Sequence, residues 1–248
     1  MRIPPNIIAT ADDFGLNHAV NHAILYCFEQ GYANSTSILT NTPCFDEAVS
    51  IIHENSFITN LGVHVNLAEG KPLTAFIDSY LDNDGNFNLK KVNRINNILN
   101  TEARAAFLKE IDAQINKALS NGLRIVHLDS HYHLHTLPCF YELFLKIAKQ
   151  YNLKIRLAQT FKENSYLKFY FRKYINSIFK SNQLNYSDYF ETVKEFLNNH
   201  SNPSNRVSEL MLHPSLDEAG NLTDHFDKSA MTNWLDFIAK YNRQNIPG

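Results

Sequence analysis

Short apolar runs alternate with helical segments along almost the whole chain, and this alternation limits the fold more than any other feature. Six short runs are predicted to be strands. They lie at residues 6–10, 37–40, 61–67, 125–131, 154–158 and 207–213. Segments with helical spacing of apolar residues follow most of these runs. The pattern predicts an α/β fold in which helices cover a parallel sheet.

Helices are predicted from apolar residues three or four positions apart and from capping residues. Asn17 is expected to cap the first helix. Thr101 is expected to cap a long helix that ends at Gly122. The other helices are predicted at residues 45–54, 139–150, 166–180, 189–199 and 227–241. Residues 72–100 are expected to form an excursion with a turn near residues 82–86.

Length and composition suit one domain spanning residues 1–248, of a size usual for a single α/β barrel. The net charge of −2 argues against nucleic acid and anionic lipid as partners. The first ten residues contain no long apolar run, so neither a signal peptide nor a membrane span is expected. Three scattered cysteines indicate reduced thiols in a cytoplasmic protein. Whether the chain forms a homodimer is left open.

Acids and histidines gather at the ends of four predicted strands. Asp12 and Asp13 follow the first strand, His64 lies in the third, and His131 and His213 end two later strands. Because sites in parallel sheets form where strands end, these side chains are expected to meet. Two imidazoles and a carboxylate make a common divalent metal site, for which zinc or magnesium is the expected cation. The chain has no glycine-rich phosphate loop, nucleophile elbow or Cys-x-x-Cys pair that would indicate other chemistry.

The residues alone leave alternatives open. Asp12 and Asp13 are equally consistent with a helix-capping pair, and on a regular strand they would face opposite sides unless the chain turned, which Gly15 permits. The histidines of residues 131–135 share one strand face unless the turn before Pro138 breaks the alternation. Five further histidines lie on predicted helices or loops and are interpreted as ordinary polar residues: His18, His22, His53, His200 and His225.

Four segments carry a resemblance to a known family. They are residues 10–16, 61–70, 127–135 and 209–214, with the sequences TADDFGL, LGVHVNLAEG, HLDSHYHLH and ELMLHP. In this order they resemble the YdjC-like (ChbG/HpnK) carbohydrate deacetylase family over nearly the whole chain. One such segment would be weak support, whereas four in order are specific. The resemblance implies a deformed (β/α) barrel of the glycoside hydrolase/deacetylase type, related to NodB-type polysaccharide deacetylases.

The resemblance also implies a site. Asp13, His64 and His131 match the family's ligands for one divalent cation, and Asp12 matches the catalytic base. Arg156 stands where the family tends to place an arginine near the site. Its charge is expected to keep Asp12 ionised.

His213 matches the histidine that acts as general acid in the related enzymes. It is expected to point into the same cavity as the base, where Asp129 or Glu209 would raise its pKa. His133 and His135 are expected to support the ligands or face the substrate, and not to bind the cation.

The activity that the resemblance implies is hydrolysis of the N-acetyl group of an amino sugar, within an oligosaccharide or a glycolipid, with release of acetate. One alternative is a sugar-binding or regulatory protein that kept the fold and lost turnover. Another is a metal hydrolase acting on a phosphoester or glycosidic bond, although the former commonly uses two metals and the latter two carboxylates. Five aromatic residues with helical spacing favour core packing over sugar stacking: Tyr166, Phe169, Tyr170, Phe171 and Tyr174.

Overall fold

Seven parallel strands form one curled sheet in the computed structural model, which describes residues 2–93, 98–162, 165–199 and 206–245. The strands are β1 (Ile7–Phe14), β2 (Ser35–Ile38), β3 (Leu61–Val65), β4 (Ile125–Ser130), β5 (Lys154–Ile155), β6 (Tyr189–Thr192) and β7 (Ser208–Leu212). Their order across the sheet is β5-β4-β3-β2-β1-β7-β6. The first strand therefore lies near the middle of the sheet, between β2 and β7.

Helices connect most of the strands, and their buried side chains form one apolar cluster with those of the sheet. They are α1 (His18–Glu29), α2 (Phe45–Glu54), α3 (Leu89–Val92), α4 (Thr101–Ser120), α5 (Tyr141–Tyr151), α6 (Tyr166–Ser181), α7 (Val193–Asn199) and α8 (Lys228–Asn245). A separate hairpin of β8 (Pro214–Leu216) and β9 (Leu222–Asp224) packs against α1 and α8. In the described part of the chain, none of the helices has both the length and the apolar surface that crossing a bilayer requires.

The two edges of the curled sheet meet through irregular backbone hydrogen bonds. Ile155 N–H donates to the carbonyl of Leu184 at 2.6 Å, and Thr160 N–H donates to the carbonyl of Phe190 at 3.1 Å. These contacts join β5 and the segment after it to β6 and the segment before it, without a regular ladder. The predicted α/β fold with a deformed barrel is therefore confirmed.

The interior of the curled sheet is polar. Arg156 reaches across it to Asp12, and the His127 ring stacks on Tyr186 with centroids 4.4 Å apart. Gly62 makes room for this stack, since a Cβ at that position would lie 2.2 Å from His127 Nε2. Buried polar groups are costly unless they are paired, so an interior of this kind indicates a functional cavity more than a stabilising core.

Most predicted elements are found, with two local corrections. Asn17 caps α1 as predicted, accepting a hydrogen bond from Val20 N–H at 3.0 Å. The cap of α4 is Asn100, whose side chain accepts from Ala103 N–H at 2.8 Å, and Thr101 is the first helical residue. The prediction for Thr101 was wrong by one position because both residue types can cap.

Residues 189–199 are half strand and half helix, where the sequence predicts helix throughout. Tyr189–Thr192 form β6 and pair with β7, and this pairing buries Phe190. Only the residues that follow, in α7, form the predicted helix. Tertiary pairing overrides local periodicity here.

The aromatic residues of α6 pack only in part as predicted, since Phe171 contacts the apolar core. Tyr166, Tyr170 and Tyr174 are exposed, whereas the buried face of the helix carries Ile175 and Phe179. The turn predicted near residues 82–86 is present, with Asp82 N–H donating to the carbonyl of Asn86 at 2.8 Å. Of the predicted excursion, residues 94–97 lie outside the described residues, as does His200.

Candidate active site

Asp12 and Asp13 both face the interior because β1 leaves regular strand geometry between them. Asp13 has φ of 70°, and the pairing of β1 with β2 shifts register between Ala11 and Phe14. Neighbours on a regular strand would point to opposite faces, and a bulge of this kind re-aims one of them. Asp12 and Asp13 can share a site only if the chain turns, and this turn lies at Asp13 itself, two residues before Gly15.

Asp13, His64 and His131 form a buried group whose ligand atoms all lie within 4.8 Å of one another. Asp13 Oδ1 is 2.8 Å from His131 Nδ1 and 3.3 Å from His64 Nε2. Among the described residues, none gives Asp13 Oδ1 a hydrogen bond of acceptable geometry. A buried carboxylate oxygen beside two imidazole nitrogens, without a hydrogen bond, is the donor set that a divalent cation takes. These residues therefore fit one cation.

Carboxylates orient both imidazoles of this group. His64 Nδ1 lies 2.9 Å from Asp129 Oδ1, which leaves Nε2 directed towards Asp13. The Nε2 of His131 lies 3.4 Å from a carboxylate oxygen of Glu69. Burial lowers the pKa of His131, but contact with Asp13 outweighs it and raises this pKa to about 10. An outer carboxylate that fixes the ring is the usual support of a histidine ligand.

Arg156 joins three buried carboxylates. Its Nη1 and Nη2 donate to the two oxygens of Asp12, each at 2.7 Å, and its Nε donates to Glu209 at 2.8 Å. Nη1 also contacts Asp129. Burial lowers the pKa of Arg156, but these carboxylates outweigh it and hold the pKa well above its usual value. A forked pair of hydrogen bonds fixes the plane of the Asp12 carboxylate as well as its charge.

Glu209 is a site residue whose contact with Arg156 the sequence does not reveal. Its Oε1 accepts from Thr10 Oγ1 at 3.1 Å as well as from Arg156, whereas no described residue hydrogen-bonds to Oε2. Burial raises the pKa of Glu209 to about 7, against the lowering effect of Arg156. The group therefore exchanges a proton near neutrality. The inward alternation of β7 is the signal that would have suggested this position.

His213 lies beside the cavity, but not with the predicted partner. Asp129 and Glu209 are both engaged by Arg156. Among the described residues, the carboxylate within 4.0 Å of His213 Nδ1 is that of Asp224, at 3.9 Å. Burial lowers the pKa of His213 and outweighs the acids around it. The expectation of a raised pKa is therefore wrong, because desolvation disfavours the imidazolium and, among the described residues, no carboxylate hydrogen-bonds to its ring.

His225 is the histidine that the sequence interpretation missed. It is interpreted from sequence as an ordinary polar residue, yet its Nε2 lies 3.2 Å from Asp13 Oδ2. The hairpin of β8 and β9 returns the chain to the site, where His225 N–H donates to the carbonyl of His213 at 3.0 Å. The turn residues between Asp217 and Asn221 were the available signal for this hairpin.

The segment after β4 turns at once, so its histidines do not share a strand face. Tyr132 and His133 have φ of 55° and 54°, in the left-handed region. His135 Nδ1 lies 2.8 Å from Ser130 Oγ, behind the cavity, whereas His133 lines the cavity. Consecutive residues in this conformation are strained, and such strain is found mostly at functional sites.

A cavity of about 460 Å³ opens at this end of the sheet. Its floor carries Asp12, His64 and His131, and its wall includes His213. The start of α7 and the segment from Asp224 to Ala230 complete the lining. The proposed base, two proposed ligands and the proposed acid thus face one space large enough for a sugar.

The model of the family described as YdjC-like protein matches residues 6–245. The chain belongs to the YdjC-like family. Two relatives described as carbohydrate deacetylases are each 32 % identical to this YdjC-like chain. One, from Listeria welshimeri, aligns over 84 % of this chain and 81 % of its own length. The other, from Clostridium beijerinckii, aligns over 64 % of this chain and 63 % of its own length, so the chain matches less than two thirds of that relative.

Two solved structures share the fold of this YdjC-like chain. An Enterococcus faecalis protein described as a cellobiose-phosphate cleavage protein has a TM-score of 0.66 at 24 % identity, covering 86 % of this chain and 82 % of that one. The lactam utilization protein of Thermus thermophilus has a TM-score of 0.52 at 11 % identity, covering 96 % of both chains. At these identities the likeness concerns the fold alone.

Proposed function

We propose that the protein is a metal-dependent carbohydrate deacetylase that hydrolyses the N-acetyl group of an amino sugar to acetate and a free amine. The observation that carries the proposal is the placement of Asp12 beside the Asp13, His64 and His131 group at one cavity. Relatives described as carbohydrate deacetylases support the same activity. The substrate is an N-acetylated amino sugar, within an oligosaccharide or a glycolipid.

Asp13, His64 and His131 would hold one divalent cation. Two imidazole nitrogens and one carboxylate oxygen suit zinc and its transition-metal neighbours, with magnesium as the alternative. When bound, the cation supplies Lewis acidity that polarises the acetyl carbonyl and lowers the pKa of a water molecule. Asp129 and Glu69 keep the two rings in place for this purpose.

Asp12 acts as the general base. It accepts a proton from the water that attacks the acetyl carbon. Among the described residues, Oδ1 accepts from Arg156 and Ser37, whereas Oδ2 accepts from Arg156 alone, so Oδ2 retains a lone pair for this proton. Arg156 prevents the carboxylate from rotating away.

His213 acts as the general acid. An amine is a poor leaving group unless it is protonated as the C–N bond breaks, and the imidazolium of His213 provides that proton. Its lowered pKa makes the imidazolium a stronger acid, which favours the transfer. After acetate and the amine leave, the proton taken by Asp12 returns to solvent and His213 is protonated again, so each turnover consumes one water molecule.

The test is acetate release from a panel of N-acetylated sugars, before and after treatment with a chelator. We expect release from at least one sugar, loss of activity after chelation, and recovery on addition of zinc or magnesium. The Asp12→Asn variant serves as the matched inactive control. Binding of a sugar by the wild type with no acetate release would instead support a non-catalytic sugar-binding protein, and would contradict the proposal.

A further inference from the structure

Two exposed aromatic side chains stand at the mouth of the cavity. Tyr132 is 43 % exposed and Phe226 is 53 % exposed, and both line the cavity. Their ring centroids are 6.0 Å apart, and their planes are at 82° to one another. The other large hydrophobic side chains that are exposed in the described part of the chain lie away from this cavity. Two exposed aromatic rings therefore lie where a substrate would enter.

Both rings lie directly against residues of the candidate active site. The centroid of Tyr132 is 4.4 Å from that of His131. The centroid of Phe226 is 4.4 Å from that of His213 and 4.8 Å from that of His225. A ligand ring resting on this pair would therefore touch the residues proposed to hold the cation and to donate the proton.

The backbone places both rings without help from a ligand. Tyr132 adopts the left-handed conformation, which a tyrosine rarely takes. The amides of Phe226 and Asp227 both donate to Asp224 Oδ1, at 3.0 and 2.9 Å, and His213 N–H donates to Asp224 Oδ2 at 2.8 Å. A buried carboxylate thus ties the turn that carries Phe226 to the strand end that carries His213. Rings held in this way bind with a smaller loss of conformational entropy.

The charges around the rings disfavour an anionic ligand. The cavity lining includes Glu195, Asp224 and Asp227, with Lys194 as its only lysine among the described residues. Hydrogen bonds from Ser229 and, less strongly, the charge of Lys194 lower the pKa of Asp227, so this lysine already faces an acid. A phosphate group resting near the rings would face the carboxylates of Glu195 and Asp227.

We propose that Tyr132 and Phe226 form the subsite for a pyranose ring of a neutral N-acetylated oligosaccharide. This inference rests on the proposed function and defines its substrate class as unphosphorylated. The C–H face of a sugar ring carries partial positive charge and packs on the negative face of an aromatic ring. The carboxylates nearby accept hydrogen bonds from the sugar hydroxyls, and the acetamido group extends from the ring towards Asp12.

The experiment measures kcat and KM for a neutral N-acetylated disaccharide, for its phosphorylated form, and for an activated acetyl ester without a sugar. Tyr132→Ala and Phe226→Ala should each raise KM for the disaccharide by about three- to tenfold, with kcat changed by less than about twofold. The loss in kcat/KM should be smaller for the ester, which has no sugar ring to bind, than for the disaccharide. Tyr132→Phe should retain the wild-type KM, and the wild type should prefer the neutral disaccharide. Tyr170→Ala, which removes an exposed aromatic ring of α6 outside the cavity, should change nothing.

Several results would overturn the subsite while leaving the proposed function intact. These are an unchanged KM in both alanine variants of an active enzyme, equal losses on disaccharide and ester, loss of bound metal in Tyr132→Ala, and a preference for the phosphorylated sugar. Absence of acetate release by the wild type from every sugar would instead refute the proposed function. In that case calorimetric binding of the neutral disaccharide, compared between wild type and Phe226→Ala, still decides whether the subsite exists.

Discussion

The guanidinium of Arg156 holds both carboxylate oxygens of Asp12 at 2.7 Å, in a buried interior where neither residue is exposed. Asp12 is therefore paired with Arg156, whereas the carboxylate of Asp13 lies against the imidazoles of His64 and His131. Adjacent aspartates thereby take different partners, and different tasks follow from their surroundings. The predictions below test these tasks one at a time.

The proposed metal ligands are tested by removing an imidazole. His64→Ala should lose the bound cation, because one carboxylate and one imidazole hold a divalent cation weakly. Elemental analysis of the purified variant measures this loss directly. His53→Ala, which removes a histidine far from the cavity on α2, should retain the metal content of the wild type. Full metal content in His64→Ala would contradict the ligand assignment.

The proposed base is tested by Asp12→Asn, which keeps the size of the side chain. Acetate release should fall roughly 10²- to 10⁴-fold, since an amide does not accept the proton. The metal content should be unchanged because Asp12 is not among the proposed ligands. Asp236→Asn, at an exposed position of α8, is the matched control. Activity close to that of the wild type would remove Asp12 from the role of base.

The charge at Arg156 is tested by its effect on stability. Arg156→Met should lower the free energy of unfolding by about 3–5 kcal/mol, because three buried carboxylates lose their partner. Arg156→Lys should lower it less, since the charge is kept and the fork is lost. Urea titration measures both variants, and Arg104→Met, which removes a half-exposed side chain of α4, is expected to cost less than about 1 kcal/mol. A Met variant as stable as the wild type would show that the carboxylates do not depend on Arg156.

Glu209 should make the stability of the protein depend on pH. Its pKa in the folded state is about 7, above the usual value of 4.5, so the folded state binds this proton more tightly than the unfolded state. The stabilisation is complete below pH 4.5 and is lost as the pH rises through 7. Between pH 5 and 8, the wild type should therefore lose roughly 1–3 kcal/mol of unfolding free energy relative to Glu209→Gln. Urea titrations at several pH values measure this, with exposed Glu218→Gln as the control; parallel profiles for wild type and Glu209→Gln would refute it.

His213 separates an amide hydrolase from an esterase. His213→Ala should lose much more activity on an acetamido sugar than on an activated acetyl ester, because an ester leaving group needs little protonation. Since burial lowers the pKa of His213 from its ordinary value, amide hydrolysis should decline as the pH rises through that lowered pKa. Paired kinetics on the two substrates measure the effect. Equal losses on both would exclude His213 as the general acid.

Much of the candidate site is predictable because parallel strands end at a common edge. Asp12, Asp13, His64, His131 and His213 lie at or near strand ends in the sequence, and the fold brings them together as expected. The alternation of residues along each strand and the order of the four family segments are both visible in the sequence, and together they predict that these residues meet. The position of Arg156 beside Asp12 also follows the sequence expectation.

Other features depend on which elements become neighbours. The bulge at Asp13, the pairing of Glu209 with Arg156, and the return of His225 through the β8–β9 hairpin arise from contacts between distant segments. The lowered pKa of His213 is of the same kind, because desolvation depends on what surrounds the ring and not on the residues beside it in sequence. The sequence by itself determined six of the seven strands of the curled sheet, in their order along the chain, and the residues that reach the common edge. Only the tertiary structure decided which of these charged groups pair with one another, because pairing depends on burial and on distances across the curled sheet.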